Sequence, residues 1–256
     1  MKVAEIFHSL QGEGKLTGVP AVFVRLSGCN LRCAWCDTPY ASWEPEGSDM
    51  SVEQIVAQVR RFDCHHVVLT GGEPYLFKEL PQIVARLKAP PREHHITIET
   101  AGTLWQDLPP YDLASVSPKL ANSTPRRRDG GRFAQAHEDQ RLNFDVLRRF
   151  ATTPTIADRQ WKFVVAQPSD LLEIRTLLVQ LSLYHANEAA GGGGGESSGG
   201  PGSLKIDPAD ILLMAEGTDP ATLSSRECFL VDLCKQHGYR FCPRLHITLF
   251  GNTRAT

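Results

Sequence analysis

Cys29, Cys33 and Cys36 stand in the pattern C-x3-C-x2-C. Three thiolates within eight residues of loop can turn inward on one metal centre. They do not complete a four-cysteine site, so a structural zinc, which closes its coordination sphere, would need a fourth ligand from elsewhere. No C-x2-C or H-x3-H partner in the sequence supplies one. A reactive centre, in contrast, keeps a position open for substrate or cofactor. Unconnected reduced cysteines are the blandest explanation, but three of the chain's seven cysteines in eight consecutive residues argue against it.

Four further segments carry groups that could work beside such a centre. Thr70-Gly71-Gly72-Glu73-Pro74 follows the apolar run Val67–Leu69. By itself it reads as a strand-to-helix turn, yet paired glycines at a strand end also let the backbone approach a ligand and present its amides and carbonyls. Ser117-Pro118-Lys119 ends another apolar run, where Lys119 is either an exposed turn residue or a cation for a carboxylate. Leu10-Gln11-Gly12-Glu13-Gly14 is a polar turn in which Gln11 can donate and accept hydrogen bonds and Glu13 can accept them. Arg25 lies inside the run Val22–Leu26, where an unpaired charge would be costly, and a guanidinium grips a carboxylate in a fork.

The elements that must position these groups alternate in type. Strand-length apolar runs cover Ala21–Ser27, His66–Thr70, His95–Thr100, Leu113–Ser117, Trp161–Ala166 and Ile211–Met214. Helical periodicity covers Ser51–Phe62, Phe77–Leu87, Glu138–Phe150, Ser169–Tyr184 and Thr222–His237, with Ser51 and Gln54 placed as a capping box. That alternation predicts an α/β fold with a mostly parallel sheet, covered by helices and carrying its chemistry at the carboxyl ends of the strands.

With 256 residues there is ample length for a core, and 41% hydrophobic residues, 22% charged residues and a net charge of −2 describe a globular protein without the bulk charge of a nucleic-acid binder. An odd seven cysteines, no signal-peptide pattern and no apolar run of membrane length point to a reducing, cytoplasmic setting. Eight of the 21 glycines fall between Ala189 and Gly202, so residues 189–203 read as a flexible glycine-rich insertion in a single domain spanning 1–256. The basic run Arg126-Arg127-Arg128 reads as a solvated loop, or as a face for an anionic partner. Cys64, Cys228, Cys234 and Cys242 read as packing residues; the spacing of the last three leaves an auxiliary cluster open.

The run Gly28 to Thr38, with Trp35 just before the third cysteine, resembles the signature of radical S-adenosylmethionine enzymes, and Gly71 to Pro74 resembles their GGEP element. Glu5–Gly14, Thr17-Gly18, Phe23–Leu26, Cys36–Thr38, Ser117–Pro125, Leu245-His246 and Leu249–Asn252 are similar to the 7-carboxy-7-deazaguanine synthases within that superfamily. The resemblance implies a partial (β/α)6-type radical SAM barrel and one four-iron, four-sulfur cluster on Cys29, Cys33 and Cys36. It implies S-adenosylmethionine held by Trp35, Cys36, Asp37, Gly72, Ser117, Pro118, Lys119 and Gln160, and Mg2+ on Thr38. It also implies a pterin substrate, 6-carboxy-5,6,7,8-tetrahydropterin, on Leu10, Gln11, Gly12, Glu13, Arg25, Thr70, Glu99 and His246. The implied partners are a flavodoxin- or ferredoxin-like electron donor and a second copy of the chain in a homodimer, with no nucleic acid and no membrane. Two other readings stay open: a glycyl-radical-enzyme activase, which normally carries a D-G-P-G-type element in place of Gln11–Gly14, and a non-catalytic zinc-binding or RNA-interacting module.

Overall fold

The alternation of residue types along each strand decides what faces the helices and what faces the interior. The computed structural model describes residues 1–191 and 206–256, the side chains of 183–191 excepted. Nine strands form one sheet: β1 Lys2–Leu10, β2 Pro20–Leu26, β3 Ser48–Asp49, β4 His66–Gly71, β5 His95–Thr100, β6 Tyr111–Val116, β7 Ile156–Val165, β8 Ile211–Ala215 and β9 Arg240–Cys242. Their order is β3-β1-β2-β4-β5-β6-β7-β8-β9. The seven strands from β2 to β9 are parallel, and β1 pairs antiparallel with β2 and β3. The sheet is therefore open, with β3 and β9 at its edges, as a partial barrel requires.

On β2, Val22, Val24 and Leu26 join the main core while Phe23 and Arg25 face inward. The same period of two puts Thr70, Glu99, Ser115, Lys162 and Met214 on the inner face, and Leu69, Ile98, Ala114, Phe163 and Leu213 under the helices. Phe7, Ala21, Phe23 and Val68 form an apolar plug inside the sheet, with the Phe7 and Phe23 rings stacked at 5.1 Å.

The helices are α1 Pro39–Ser42, α2 Val52–Val59, α3 Leu80–Lys88, α4 Ala134–Gln140, α5 Phe144–Thr152, α6 Asp170–Gly191, α7 Pro220–His237 and α8 Leu245–Phe250; α2, α3, α5, α6 and α7 cover the outer face, while α1 and α8 border the interior. The capping box on α2 forms, with Ser51 N donating to Gln54 Oε1 at 2.8 Å and Gln54 N to Ser51 Oγ at 3.2 Å. α3 starts later than Phe77, because Pro74–Leu76 takes a 3-10 turn and Pro81 sits in the first helical turn. The periodic segment Glu138–Phe150 is two helices: Asn143 leaves helical geometry, accepts the Val146 N–H at 3.2 Å and restarts the chain as α5. Ala189 to Gly191 end α6, and the rest of the glycine-rich stretch, 192–203, lies outside the described residues.

Between β1 and β2 the chain crosses to the far strands. Lys15 N donates to Gln160 Oε1 at 2.7 Å, Lys15 Nζ reaches Asp158 at 2.8 Å and Asp210 at 2.6 Å, Gly14 N donates to Cys242 Sγ at 3.1 Å, and Leu245 N donates to the Gly12 carbonyl at 2.9 Å. This loop spans the gap that the open sheet leaves. Cys64 and Cys234 pack in the main core and Cys242 faces inward, but Cys228 is exposed on α7, since the helix turns that position to solvent.

Candidate active site

The cysteine loop leaves β2 and is held from both sides. Gly28 N donates to the Ala41 carbonyl at 2.8 Å, Ala34 N to the Ser123 carbonyl at 2.7 Å, and the Trp43 indole N–H to the Cys33 carbonyl at 3.0 Å. Arg32 N donates to His137 Nδ1 at 3.2 Å, which leaves Nε2 to carry the proton toward Ser123 Oγ at 2.8 Å. Burial pushes the His137 pKa down to about 4, so a neutral ring braces the loop. Burial raises the Cys29 and Cys33 thiols to about 12, a cost that positively charged iron reverses when it takes a thiolate.

Glycines in the strand-end motif serve the protein's own packing. A Cβ on Gly72 would overlap the Gly28 carbonyl, and one on Gly71, at φ 135°, would overlap the backbone of Leu26. Gly72 N donates to the Leu26 carbonyl at 3.0 Å and Glu73 N to that of Gly28 at 2.9 Å. The two backbones touch, which explains the glycines before any ligand is considered. Glu73, fully buried, accepts from Tyr75 N at 3.1 Å, Thr100 Oγ1 at 2.8 Å and Ala101 N at 2.9 Å, so it fastens the turn to the end of β5. Burial raises its pKa against those three donors.

Above the apolar plug the inner face opens on a cavity of about 450 Å3. Cys29, Cys33, Trp35, Cys36, Asp37, Thr38, Gly72, Ser117 and Lys119 are among its lining residues. Lys119 Nζ donates to the Ser117 carbonyl and hydroxyl, both at 2.8 Å, and lies 5.9 Å from the Trp35 ring centre. The Trp35 indole donates to Asn122 Oδ1 at 3.1 Å, and Asn122 is in turn tied to Asp170 at 2.8 Å. Leu10, Gln11, Gly12, Glu13, Arg25, Thr70, Glu99 and His246 line it as well. Two predicted positions stand apart: Pro118 is not among the lining residues, and the Gln160 amide is engaged with Ser115 Oγ at 2.8 Å and Lys15 N at 2.7 Å, closing the loop below the cavity.

The polar groups fall into two hydrogen-bonded sets. Gln11 Nε2 donates to Glu99 Oε1 at 3.2 Å and Thr70 Oγ1 to Glu99 Oε2 at 2.8 Å, while Gln11 Oε1 accepts from Glu13 N at 3.1 Å. Both ends of the Gln11 amide are therefore fixed. Arg25 Nε binds Glu5 Oε1 at 2.6 Å, and the Tyr40 hydroxyl donates to the same oxygen at 2.8 Å. Its two terminal nitrogens have no hydrogen-bond partner among the described residues and remain available to a carboxylate. Gly12 lies against the His246 ring so closely that a Cβ would overlap it.

Arg244 and Lys162 organise the charges. Arg244 is buried and binds Asp37, the Gly217 carbonyl and, at 3.2 Å, Glu13 Oε1; Lys162 binds Glu13 Oε2. Burial would raise the Glu13 pKa, but Lys162 and Arg244 outweigh it and hold the carboxyl well below its usual range. Burial likewise works against Asp37, and Arg244 reverses it. His246 is kept from protonating chiefly by burial. The tail Asn252–Thr256 closes one wall, with the Arg254 guanidinium 3.6 Å from the Tyr40 ring centre. Alternation along β7 could have pointed to Lys162; only the fold brings Arg244 and the tail here.

Comparison with known proteins agrees with this geometry. A model described as the Radical SAM superfamily matches residues 23–140. A 7-carboxy-7-deazaguanine synthase of Halobacterium salinarum is 42% identical over 261 residues, covering 100% of this chain and 93% of that one. The chain belongs to the 7-carboxy-7-deazaguanine synthases. A Rhodopirellula baltica synthase is 37% identical over 254 residues, 99% of this chain and 88% of that one. In fold, this synthase is similar to the crystal structure of QueE from Escherichia coli, with a TM-score of 0.63 at 24% identity, over 96% of this chain and 94% of that one.

A radical SAM synthase carries a four-iron, four-sulfur cluster and S-adenosylmethionine, and this site's donors fit them. Three thiols of one loop line the cavity, and among the described residues no fourth thiol lines it with them. Among the described residues no three His, Cys, Asp or Glu side chains converge on a single ion. In a four-iron, four-sulfur cluster three thiolates hold three of the irons and leave the fourth for another ligand, which matches a loop that offers three cysteines to one cavity.

Proposed function

We propose that this cavity binds 6-carboxy-5,6,7,8-tetrahydropterin beside S-adenosylmethionine and contracts its ring to 7-carboxy-7-deazaguanine with release of ammonia, a step in queuosine and deazapurine biosynthesis. One observation carries the reading: the three cluster thiols and the hydrogen-bonded set Gln11, Thr70 and Glu99, with Arg25, line one cavity of about 450 Å3. When bound, the cluster and S-adenosylmethionine supply an adenosyl radical that abstracts hydrogen from C6 of the pterin.

The chain's own groups bind, orient and exclude water. The terminal nitrogens of Arg25 face the cavity and take the substrate carboxylate as a fork. The carboxylates of Glu13 and Glu99 accept from the guanidine-like edge of the pterin, while Gln11 and Thr70, already bonded to Glu99, fix its position. His246, close to Glu13, offers its neutral ring to the same edge. Lys119 and Ser117 hold the methionine end of the cofactor, with Gly72 alongside and Trp35 and Asp37 near the adenosine. Thr38 offers one hydroxyl, so a Mg2+ there takes its other ligands from substrate and water. We place the enzyme in the cytoplasm as a homodimer served by a flavodoxin- or ferredoxin-like donor; no helix among the described residues is long and apolar enough to cross a membrane.

The test is turnover by anaerobically reconstituted protein with dithionite, Mg2+, S-adenosylmethionine and the carboxytetrahydropterin, read by mass spectrometry of product and 5′-deoxyadenosine. Formation of both supports the reading. Protein that holds zinc without iron, or that acts on a glycyl-radical partner and not on the pterin, overturns it.

A further inference from the structure

Arg25 meets its carboxylate partner at a single point. Glu5 and Arg25 stand directly opposite one another on β1 and β2, in a register reset by an irregularity between Val3 and Glu5. Arginine and a carboxylate so placed commonly close as a two-point pair, each oxygen taking its own N–H. Here Nε alone donates, to Glu5 Oε1 at 2.6 Å. Glu5 Oε2 accepts no hydrogen bond among the described residues, and both side chains line the cavity. Asp37, the other carboxylate that acts on Arg25, is occupied by Arg244. Glu5 therefore has two opposed capacities: it anchors one end of Arg25, and it is a built-in competitor for the other end.

A third residue keeps it to the first. The Tyr40 hydroxyl donates to the same Glu5 Oε1 at 2.8 Å, so that oxygen is shared between the phenol and Nε. Burial pushes the Tyr40 phenol up to about 12, and the hydroxyl keeps the proton it donates. Tyr40 stands on α1, four residues after Cys36, and its ring is clamped from the far end of the chain. The Arg254 guanidinium lies 3.6 Å from the ring centre, Arg254 Nη1 donates to Glu46 Oε2 at 3.0 Å, and Glu46 N donates back to the Tyr40 carbonyl at 2.8 Å. A cation over a phenol ring both fixes its plane and strengthens its hydroxyl as a donor.

We propose that Tyr40 is a positioning residue for substrate recognition: it tethers Glu5 to Nε of Arg25, so that the terminal nitrogens stay open to a substrate carboxylate, and Arg254 holds the Tyr40 ring in place for this. The inference rests on the function proposed above, in which Arg25 takes that carboxylate. Without the tether, Glu5 gains a second bond by moving onto the terminal nitrogens, and the substrate has to displace it.

The experiment measures binding by calorimetry to anaerobic, cluster-loaded protein in the presence of Mg2+. The probes are 6-carboxy-5,6,7,8-tetrahydropterin and tetrahydropterin, which lacks the carboxyl group. Tyr40→Phe removes the hydroxyl and keeps the ring. A fork covered by Glu5 in about nine molecules of ten weakens carboxylate binding about tenfold. The variant is therefore expected to lose that factor for the carboxylated pterin and nothing for tetrahydropterin, with KM rising in step and kcat retained. Tyr40→Phe/Glu5→Gln decides the cause: a neutral amide does not compete for the guanidinium, so the double variant is expected to recover most of the lost affinity. Arg254→Ala, which leaves the hydroxyl but frees the ring, is expected to show the same ligand-selective loss at about two- to fivefold.

Unchanged binding of the carboxylated pterin in Tyr40→Phe overturns the proposal. So does equal weakening of both ligands in either single variant, which is the mark of a merely structural role, or a double variant no better than Tyr40→Phe. Should Tyr40→Phe fail to take up iron, Arg254→Ala and Arg254→Ala/Glu5→Gln carry the same comparison. Wild-type protein that shows no preference for the carboxylated pterin counts against the function; a wild-type preference that does not respond to Tyr40 counts against this inference alone.

Discussion

Arg244→Gln removes one cation from between two carboxylates, and the structure sets how much that costs. Asp37 loses its ion-pair partner, while Glu13 keeps Lys162. Breaking a buried pair from one side costs about 3–5 kcal/mol. The Asp37 side chain is 37% exposed, so water offsets part of the loss, and about 2–3 kcal/mol is expected. In a chain of this size that lowers the melting midpoint by about 4–12 °C. The pH dependence follows from the same contact. Arg244 holds the Asp37 carboxyl below its usual range, so the pair's stabilisation is complete above the unfolded value and is lost as pH falls through the lower folded one. With glutamine, burial pushes the carboxyl up instead, and acid relieves the variant. Anaerobic thermal unfolding of both proteins, from about pH 8 down to about pH 4, should show the gap widest at the alkaline end and narrowing on acidification. Equal midpoints at the alkaline end, or a gap that widens in acid, would refute the idea that charge holds this corner together. Arg244→Lys, which keeps the charge but loses the planar fork, is expected to fall between the two.

Gly72→Ala drives a methyl into the Gly28 carbonyl, so reconstituted protein should hold well under four irons per chain while its far-UV circular dichroism stays that of wild type. Glu99→Gln loses one of the two acceptors that orient Gln11 and Thr70; the pterin KM should rise about tenfold with the S-adenosylmethionine affinity unchanged, and a parallel loss of both would contradict a role confined to the pterin. His137 titrates near 4 in the fold, below its unfolded value of about 6.5, so stability is lost as pH falls through that window. His137→Gln should flatten the wild-type decline there, as read by melting midpoints. Chelation with EDTA should suppress turnover and added Mg2+ restore it, with Thr38→Ala needing more Mg2+ than Thr38→Ser.

The six strands predicted from apolar runs are all present, because each is buried on its outer face and carries at least three consecutive apolar or small residues. β1 was not among them: Glu5, His8 and Ser9 interrupt its apolar pattern, since one of its faces turns Glu5 and Phe7 to the cavity. The break between α4 and α5 was hidden for the opposite reason, as Leu142 continues the helical period while Asn143 caps a new helix. In the site, the cysteine loop was legible because local spacing carries it, and the polar loop at Gln11, by itself a polar turn, was legible through the family resemblance. Arg244 and the tail were not, because their meaning lies in contacts with residues more than two hundred positions away in the chain. The glycines at 71 and 72 were legible as a turn that brings backbone close; what the structure adds is that the backbone they admit is the chain's own, at Leu26 and Gly28, while both line the cavity.

The loop that spans the open side of the sheet has a bearing on dynamics. Its carbonyl at Gly12 and amides at Gly14 and Lys15 are backbone groups that join the first strands to the last, and its neighbours Gln11 and Glu13 face the cavity. The seam of the molecule is thus built from the segment that meets the substrate. Opening the seam and losing the ligand become one event, so amide hydrogen exchange at Gly14, Lys15 and Leu245 should slow together when the pterin binds, while the amides of β4 and β5, deep in the sheet, stay as they were.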